Sequence, residues 1–181
     1  MDRLTELAYE DMTAEQKRLH DDLISGPRGK IQGPHKAWLY SPALGDVAQK
    51  LGAYIRFNSR LEPRLSELAI LVTDAHYKAE FEWWAHVRFA HDAGIPESVT
   101  EAVRKGQTPD LPADDQRVVH KVALELNKTH RLSDATFDEA KAVLGLPALI
   151  DLIAIVGYYG LVSLTLNSFE MPTPDGSQAF D

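Results

Sequence analysis

Glu82 and His86 stand four residues apart in the segment Glu80-Phe-Glu-Trp-Trp-Ala-His86. On an α-helix that spacing puts both side chains on one face. A carboxylate beside an imidazole fixes its tautomer and raises its basicity, and histidine changes charge near neutral pH. The pair is therefore a candidate proton-transfer device. Glu67 lies in Leu65-Ser-Glu-Leu-Ala-Ile-Leu71, where its helical neighbours Ile70 and Leu71 are apolar, so an inward orientation is open to it. If the two segments pack as antiparallel helices, Glu67 approaches Glu82 and His86. From spacing alone an E-x-x-x-H pair is more often a surface contact than a catalytic one.

Other chemistries find less support. A metal site would need Glu82, His86 and one of His35, His76 or His91. His86 and His91 are five apart, about 140° around a helix, and do not chelate together. There is no H-x-x-x-H or H-E-x-x-H, and no metal is expected. With no cysteine in the chain, disulfides, thiolate metal sites, Fe–S clusters and thiol nucleophiles are excluded. No G-x-G-x-x-G, Walker-type loop or G-x-S-x-G is present. His20, His120 and His130 sit in polar helix contexts and read as surface residues. Trp83 and Trp84 read as core or interface aromatics, one of them a candidate pocket wall. Arg56, Arg60 and Arg64 recur every four residues; they form a solvated basic edge or offer a guanidinium to a substrate carboxylate. Trp83, Arg64 and His35 are the candidates for substrate contact.

The elements that must position these groups read as helices throughout. Thr13 with Gln16 forms a capping-box pattern that opens a helix to about Leu23. Ser25 to His35 is a Gly/Pro-rich loop that cannot be helical throughout. Ser41-Pro42 opens a helix to about Ser59, with Leu44, Val47, Leu51, Tyr54 and Ile55 at helical spacing. Pro63 starts the helix of Glu67. Ala79 to Ala93, closed by Gly94, carries Glu82 and His86. Further helices run over Pro96–Lys105, around Val118 to Leu126, over Ser133–Leu144, and from Leu146 to about Ser168. That last helix is apolar from Leu152 to Leu166, as in a core or a membrane helix; its length and the amphipathic remainder of the chain favour a core helix, with Gly157 to Gly160 allowing close packing. The segment from Glu170 onward is expected to be extended or mobile, or packed on a neighbour. No strand pattern and no internal repeat is visible. The class is all-α, about eight helices in a single domain spanning 1–181, with an N-terminal extension to about residue 30 and a C-terminal tail from about 170.

The 181 residues suit one domain, and surface scaling for this mass gives roughly 8,700 Å² of accessible surface when folded. The net charge of −8 repels phosphate backbones, and no basic patch offsets it, so nucleic acid is not an expected partner. No apolar leader is visible at the N-terminus, and neither a membrane nor a secretory destination is expected; a cytoplasmic location is.

Three stretches carry a resemblance. Arg64-Leu-Ser-Glu67-Leu-Ala-Ile-Leu71, Glu80-Phe-Glu82-Trp83-Trp-Ala-His86 and Ala90-His-Asp-Ala-Gly94-Ile resemble the core of the carboxymuconolactone decarboxylase family, which shares its fold with the alkylhydroperoxidase D (AhpD) proteins. Gly33-Pro34-His35 through Leu44, and Leu149 through Tyr159, extend the likeness to about residues 30–170. It implies an AhpD-like helical bundle assembled as a trimer or hexamer. The family's redox branch carries a glutamate, eleven residues, Cys-x-x-Cys, three residues and a histidine. Glu67 and His86 match that pattern, but its cysteines fall on Ala79 and Glu82. Dithiol peroxidase chemistry is therefore excluded, and the chain resembles the cysteine-free branch. For that branch the resemblance implies a cofactor-free lyase of a small unsaturated acid or lactone. His86 would be the acid/base, Glu82 or Glu67 would orient it, and a cationic or backbone donor would hold a lactone oxygen. The alternative is a non-catalytic oligomeric protein that keeps the fold after losing its thiols.

Overall fold

A computed structural model describes residues 3–26 and 29–180. Among these residues there are nine α-helices, a short 3-10 turn at Tyr9–Asp11 and no strand. The helices are α1 (Ala14–Ser25), α2 (Pro34–Trp38), α3 (Pro42–Phe57), α4 (Pro63–Tyr77), α5 (Glu80–Asp92), α6 (Glu97–Arg104), α7 (Asp114–Thr129), α8 (Asp134–Leu144) and α9 (Leu146–Ser168). Pro27 and Arg28, within the expected Gly/Pro loop, lie outside the described residues.

Several ends follow local chemistry. The Thr13 hydroxyl accepts from the Gln16 N–H at 3.3 Å, and the Gln16 side chain accepts from the Thr13 N–H at 2.8 Å, closing the capping box on α1. Proline sits in the first turn of α2, α3, α4 and α9, where its missing N–H costs nothing. α2 falls partly inside the stretch read as loop. Gly33, at φ 56°, turns the chain into α2, and a Cβ there would lie 2.7 Å from the Phe81 ring.

α4 is the central rod, packed chiefly on α9, α7 and α5. It is enclosed on most sides: Leu68, Ala69, Ile70, Leu71 and Val72 are all buried. Glu67 and Asp74 are buried on the same helix, two turns apart and so on one face. A two-residue link through Lys78, in the left-handed region at φ 50°, reverses the chain into α5. The Ala79 N–H donates to the Asp74 carbonyl at 2.9 Å and closes that turn. α4 and α5 thus form an antiparallel helical hairpin.

α9 is long and apolar enough to cross a membrane by length and composition, and 61% of its most apolar window is buried inside this fold. Its inner face packs on α4. Gly160 allows that approach, since a Cβ there would meet the Tyr77 hydroxyl at 3.3 Å; Gly157 faces open space and has no such role. Its outer face leaves Ile150, Ile153, Leu161 and Leu164 exposed. α3 behaves likewise. Its large apolar residues Leu44, Val47, Leu51 and Tyr54 point outward, while Gly45, Ala48, Gly52 and Ile55 face the interior. Small residues on that face let α3 approach α1 closely: a Cβ at Gly45 would stand 2.5 Å from the Leu19 side chain. Total accessible surface is 9778 Å², above the scaling value for a lone domain.

The C-terminal tail is fastened to its own chain. The N–H groups of Ala179 and Phe180 donate to the Glu80 carboxylate at 2.6 and 2.9 Å. Arg104 donates to the Ala179 carbonyl at 2.6 Å, and the Phe180 ring meets Trp83 edge-on at 5.2 Å. Nothing in the tail's composition announces these contacts, because they depend on Glu80 being presented at the start of α5.

Candidate active site between α4, α5 and α9

The α4–α5 hairpin brings four ionisable side chains into the dry interior: Glu67 and Asp74 from α4, Glu82 and His86 from α5. His86 Nδ1 is 2.7 Å from Glu67 Oε2, and its Nε2 is 3.3 Å from Glu82 Oε2. The imidazole is thus held between two carboxylates. Its ring is gripped edge-on by Tyr159 of α9 at 4.9 Å and by Phe89 at 5.8 Å. Glu82 lies in the first turn of α5, where the helix N-terminus favours negative charge.

Burial by itself disfavours the charged form of His86. The paired carboxylates of Glu67 and Glu82 overcome it and raise the imidazole from 6.5 to about 10. At neutral pH His86 is therefore a cation with a carboxylate at each nitrogen.

Asp74 is the group that the sequence does not single out. It is fully buried, and neither of its oxygens has a hydrogen bond of ordinary geometry; the adjacent buried Ser163 hydroxyl is likewise misaligned. Burial, then the negative charges of Glu82 and Glu67, push its pKa well above 3.8, against the pull of His86. Burial and its neighbours thus favour the protonated form of Asp74 beside the His86 pair. The signal available in sequence was its position seven residues after Glu67, on the same helical face.

A cavity of about 270 Å³ opens beside this cluster. His86 and Glu82 form part of its wall, with Phe81, Phe89, Tyr158 and Tyr159 supplying aromatic surface. Glu67 is not in the wall; it stands behind His86, on the Nδ1 side. The Tyr159 phenol is held well above 10, by burial first, and stays neutral. Two cations, Arg56 and Lys30, also border the cavity. A larger cavity of about 500 Å³ lies between the N-terminal arm and the tail; it shares Gln32 and Phe81 as walls, but none of the four clustered residues borders it.

The three candidates for substrate contact separate. His35 lines the cavity, its Nδ1–H donating to the Gln32 carbonyl at 3.0 Å. Trp83 does not: it is buried on the other side of α5, against Phe180. Arg64 does not either, since Asp115 and Glu62 hold its guanidinium at the α4–α7 junction. Arg60 pairs with Asp151. Of the three arginines spaced by four, only Arg56 reaches the cavity. Among the described residues no three His, Asp or Glu are arranged to hold a metal ion. His91 contacts the Thr100 hydroxyl at 3.1 Å, and His120 is half-buried, its pKa lowered by that burial.

Comparison with solved structures places the architecture. The crystal structure of an AhpD core, an uncharacterized peroxidase-related protein from Ralstonia eutropha JMP134, superposes with a TM-score of 0.77 over 96% of this chain and 93% of that one, at 16% identity. The chain has the AhpD-like fold. No protein-family model matches it, and neither does any curated protein sequence. The likeness is one of fold; a chain without cysteine has no thiol with which to run dithiol chemistry.

Proposed function

We propose that the chain is a cofactor-free lyase of the carboxymuconolactone decarboxylase type, acting on a small unsaturated carboxylic acid or lactone. The observation that carries this reading is His86, charged at neutral pH and flanked by two carboxylates, in the wall of a cavity of about 270 Å³. The bond from the substrate carbon to its departing carboxylate breaks, CO₂ leaves, and the electron pair spreads into a conjugated dienolate. The His86 Nε2–H then delivers a proton to the allylic carbon, and the imidazole regains its proton from solvent. An acid raised to about 10 is weak at pH 7, so it suits a strongly basic acceptor such as a dienolate carbon. Glu67 fixes the ring from behind, and Glu82 steadies the charge at Nε2. The conjugated system itself holds the electrons, so no cofactor is required.

Turnover tests the reading. With a panel of unsaturated lactone acids, CO₂ release by the wild type and its loss in a folded His86→Ala variant support it. The depth of the cluster favours a second reading, a non-catalytic protein in which the same groups only brace the bundle: His86 is 2% exposed and Asp74 is 0%. In that case His86→Ala melts the protein.

We also propose a homo-oligomer, trimer or hexamer, formed through the outward apolar residues of α3 and α9. Leu44, Val47 and Leu51 on one helix and Ile150, Ile153 and Leu164 on the other are large, apolar and exposed, the side chains that association between subunits would cover. A stable 20 kDa species by light scattering at micromolar concentration would contradict it.

A further inference from the structure

Arg56 differs from the arginines that brace this fold. Arg3, Arg60, Arg64, Arg104 and Arg117 are each paired with a carboxylate of the chain. Arg56 borders the cavity, and among the described residues no carboxylate pairs with it, in a protein whose net charge is −8. Its guanidinium rests on aromatic faces instead, 4.7 Å from the Phe89 ring centre and 5.9 Å from that of Phe57. Such stacking orients a guanidinium while leaving its N–H groups unspent. Phe89 also touches His86, so one ring separates the cation from the acid. The charge of Arg56 reaches the Tyr159 hydroxyl, where it is the influence that most opposes burial. Lys30 adds a second positive charge on the cavity wall.

Glu67, His86 and Glu82 together carry one net negative charge when the imidazole is protonated. That charge repels an anionic ligand unless cations bordering the cavity offset it. Aromatic walls, an acid and, one ring away from it, an unspent guanidinium define the ligand by chemistry. We propose that Arg56 is the anion-binding residue of this cavity, and that the cavity accepts a small planar unsaturated carboxylate with its charged end on Arg56 and its conjugated body against Phe81, Phe89 and Tyr159. This rests on the active-site reading given above. A carboxylate paired with a guanidinium resists losing its charge, so the group held at Arg56 is one retained in the product rather than expelled.

Cinnamate and its neutral counterpart cinnamamide serve as probes, titrated calorimetrically into the full chain. The wild type should bind cinnamate saturably and cinnamamide more weakly. Arg56→Gln should weaken cinnamate at least tenfold and leave cinnamamide within twofold; Arg56→Lys should fall between. Arg88→Gln is the control: Arg88 stacks on Phe89 at 5.2 Å but does not line the cavity, and its loss should leave both probes unchanged. Independently of any variant, raising NaCl from 50 to 500 mM should weaken cinnamate and spare cinnamamide. The proposal is overturned if cinnamate does not saturate by 10 mM, if Arg56→Gln leaves it within twofold, if both probes weaken equally, or if salt does not discriminate them. Cinnamate held by Arg56 in a protein whose turnover ignores His86 would leave the anion site standing and remove the lyase. Turnover that depends on His86 with cinnamate indifferent to Arg56 would do the reverse.

Discussion

Asp151 on α9 and Asp74 on α4 are both buried aspartates, and their surroundings use them in opposite ways. Asp151 accepts from the Arg60 backbone N–H at 2.8 Å, from the Tyr54 hydroxyl at 3.1 Å and from the Arg60 guanidinium at 3.4 Å. It is a carboxylate saturated with donors, and it ties the end of α3 and the loop after it to α9. Asp74 meets no donor of ordinary geometry and two like charges, and its pKa is pushed well above 3.8. Were Asp74 ionised, three carboxylates would crowd one imidazolium where little water screens them. Near Asp151 the polar groups are satisfied and the bundle is braced. Near Asp74 they are incompletely satisfied and border a cavity, as expected where proton-handling groups sit at some cost to stability.

Substitutions should separate these two regions. The largest effect expected is on chemistry: His86→Ala should lower kcat about 10²–10⁴-fold, the usual worth of a positioned acid, while a cooperative thermal melt persists at a Tm lowered by the two carboxylates left without their cation. Asp151→Ala should do the opposite, costing about 2 kcal/mol of stability, or roughly 4–8 °C in Tm by scanning calorimetry, with kcat of the folded protein unchanged. Glu82→Gln should cost less than His86→Ala, about tenfold in kcat. It also removes one of the two charges that raise His86, so the acid loses its proton at lower pH and the alkaline limb of the pH–rate profile moves down.

The remaining contrast lies in the pH dependence of stability. His86 has a higher pKa folded than unfolded, so its contribution is complete below pH 6.5 and is lost as pH rises toward 10. Asp74 is also raised on folding, so its influence declines in the same sense as pH rises above 3.8. Asp74→Asn, which stays neutral, should change stability by less than about 1 kcal/mol at pH 4 and gain on the wild type as pH rises. Paired urea titrations at pH 4, 7 and 9 would show it, and a constant offset between the two proteins would contradict a raised Asp74 pKa.

Much of the helical order was legible because its signals are local. The Thr13–Gln16 box, the prolines after Ser41 and Glu62 and the glycines at 94 and 145 each mark an end through nearby chemistry. The Glu82–His86 face follows from the helical repeat. What escaped depends on contacts distant in sequence. The helical spacing of Leu44, Val47 and Leu51 on α3 does not say which way they face; close packing on α1 demands small residues inside and turns them out. Arg56, Arg60 and Arg64 look equivalent in sequence, and only the positions of Asp151 and Asp115 separate the two that are paired from the one at the cavity. Trp83 reads first as a core or interface aromatic, and only the tail folded back onto Glu80 removes it as a candidate pocket wall. Asp74 gave no sign beyond its spacing from Glu67, because the unusual environment is created by α5 and α9.

The charge state of His86 tests most directly the charged pair on which the proposed chemistry depends. In ¹⁵N-labelled protein the two imidazole nitrogens of His86, assigned by comparison with His86→Gln, can be followed by NMR from pH 6 to 11. Both should keep imidazolium shifts through pH 8.5 and titrate together near 10, and Glu67→Gln should bring that midpoint down. A wild-type His86 already neutral at pH 7.5, or a midpoint near 6.5 that Glu67→Gln does not move, would contradict the charged pair on which the proposed chemistry depends.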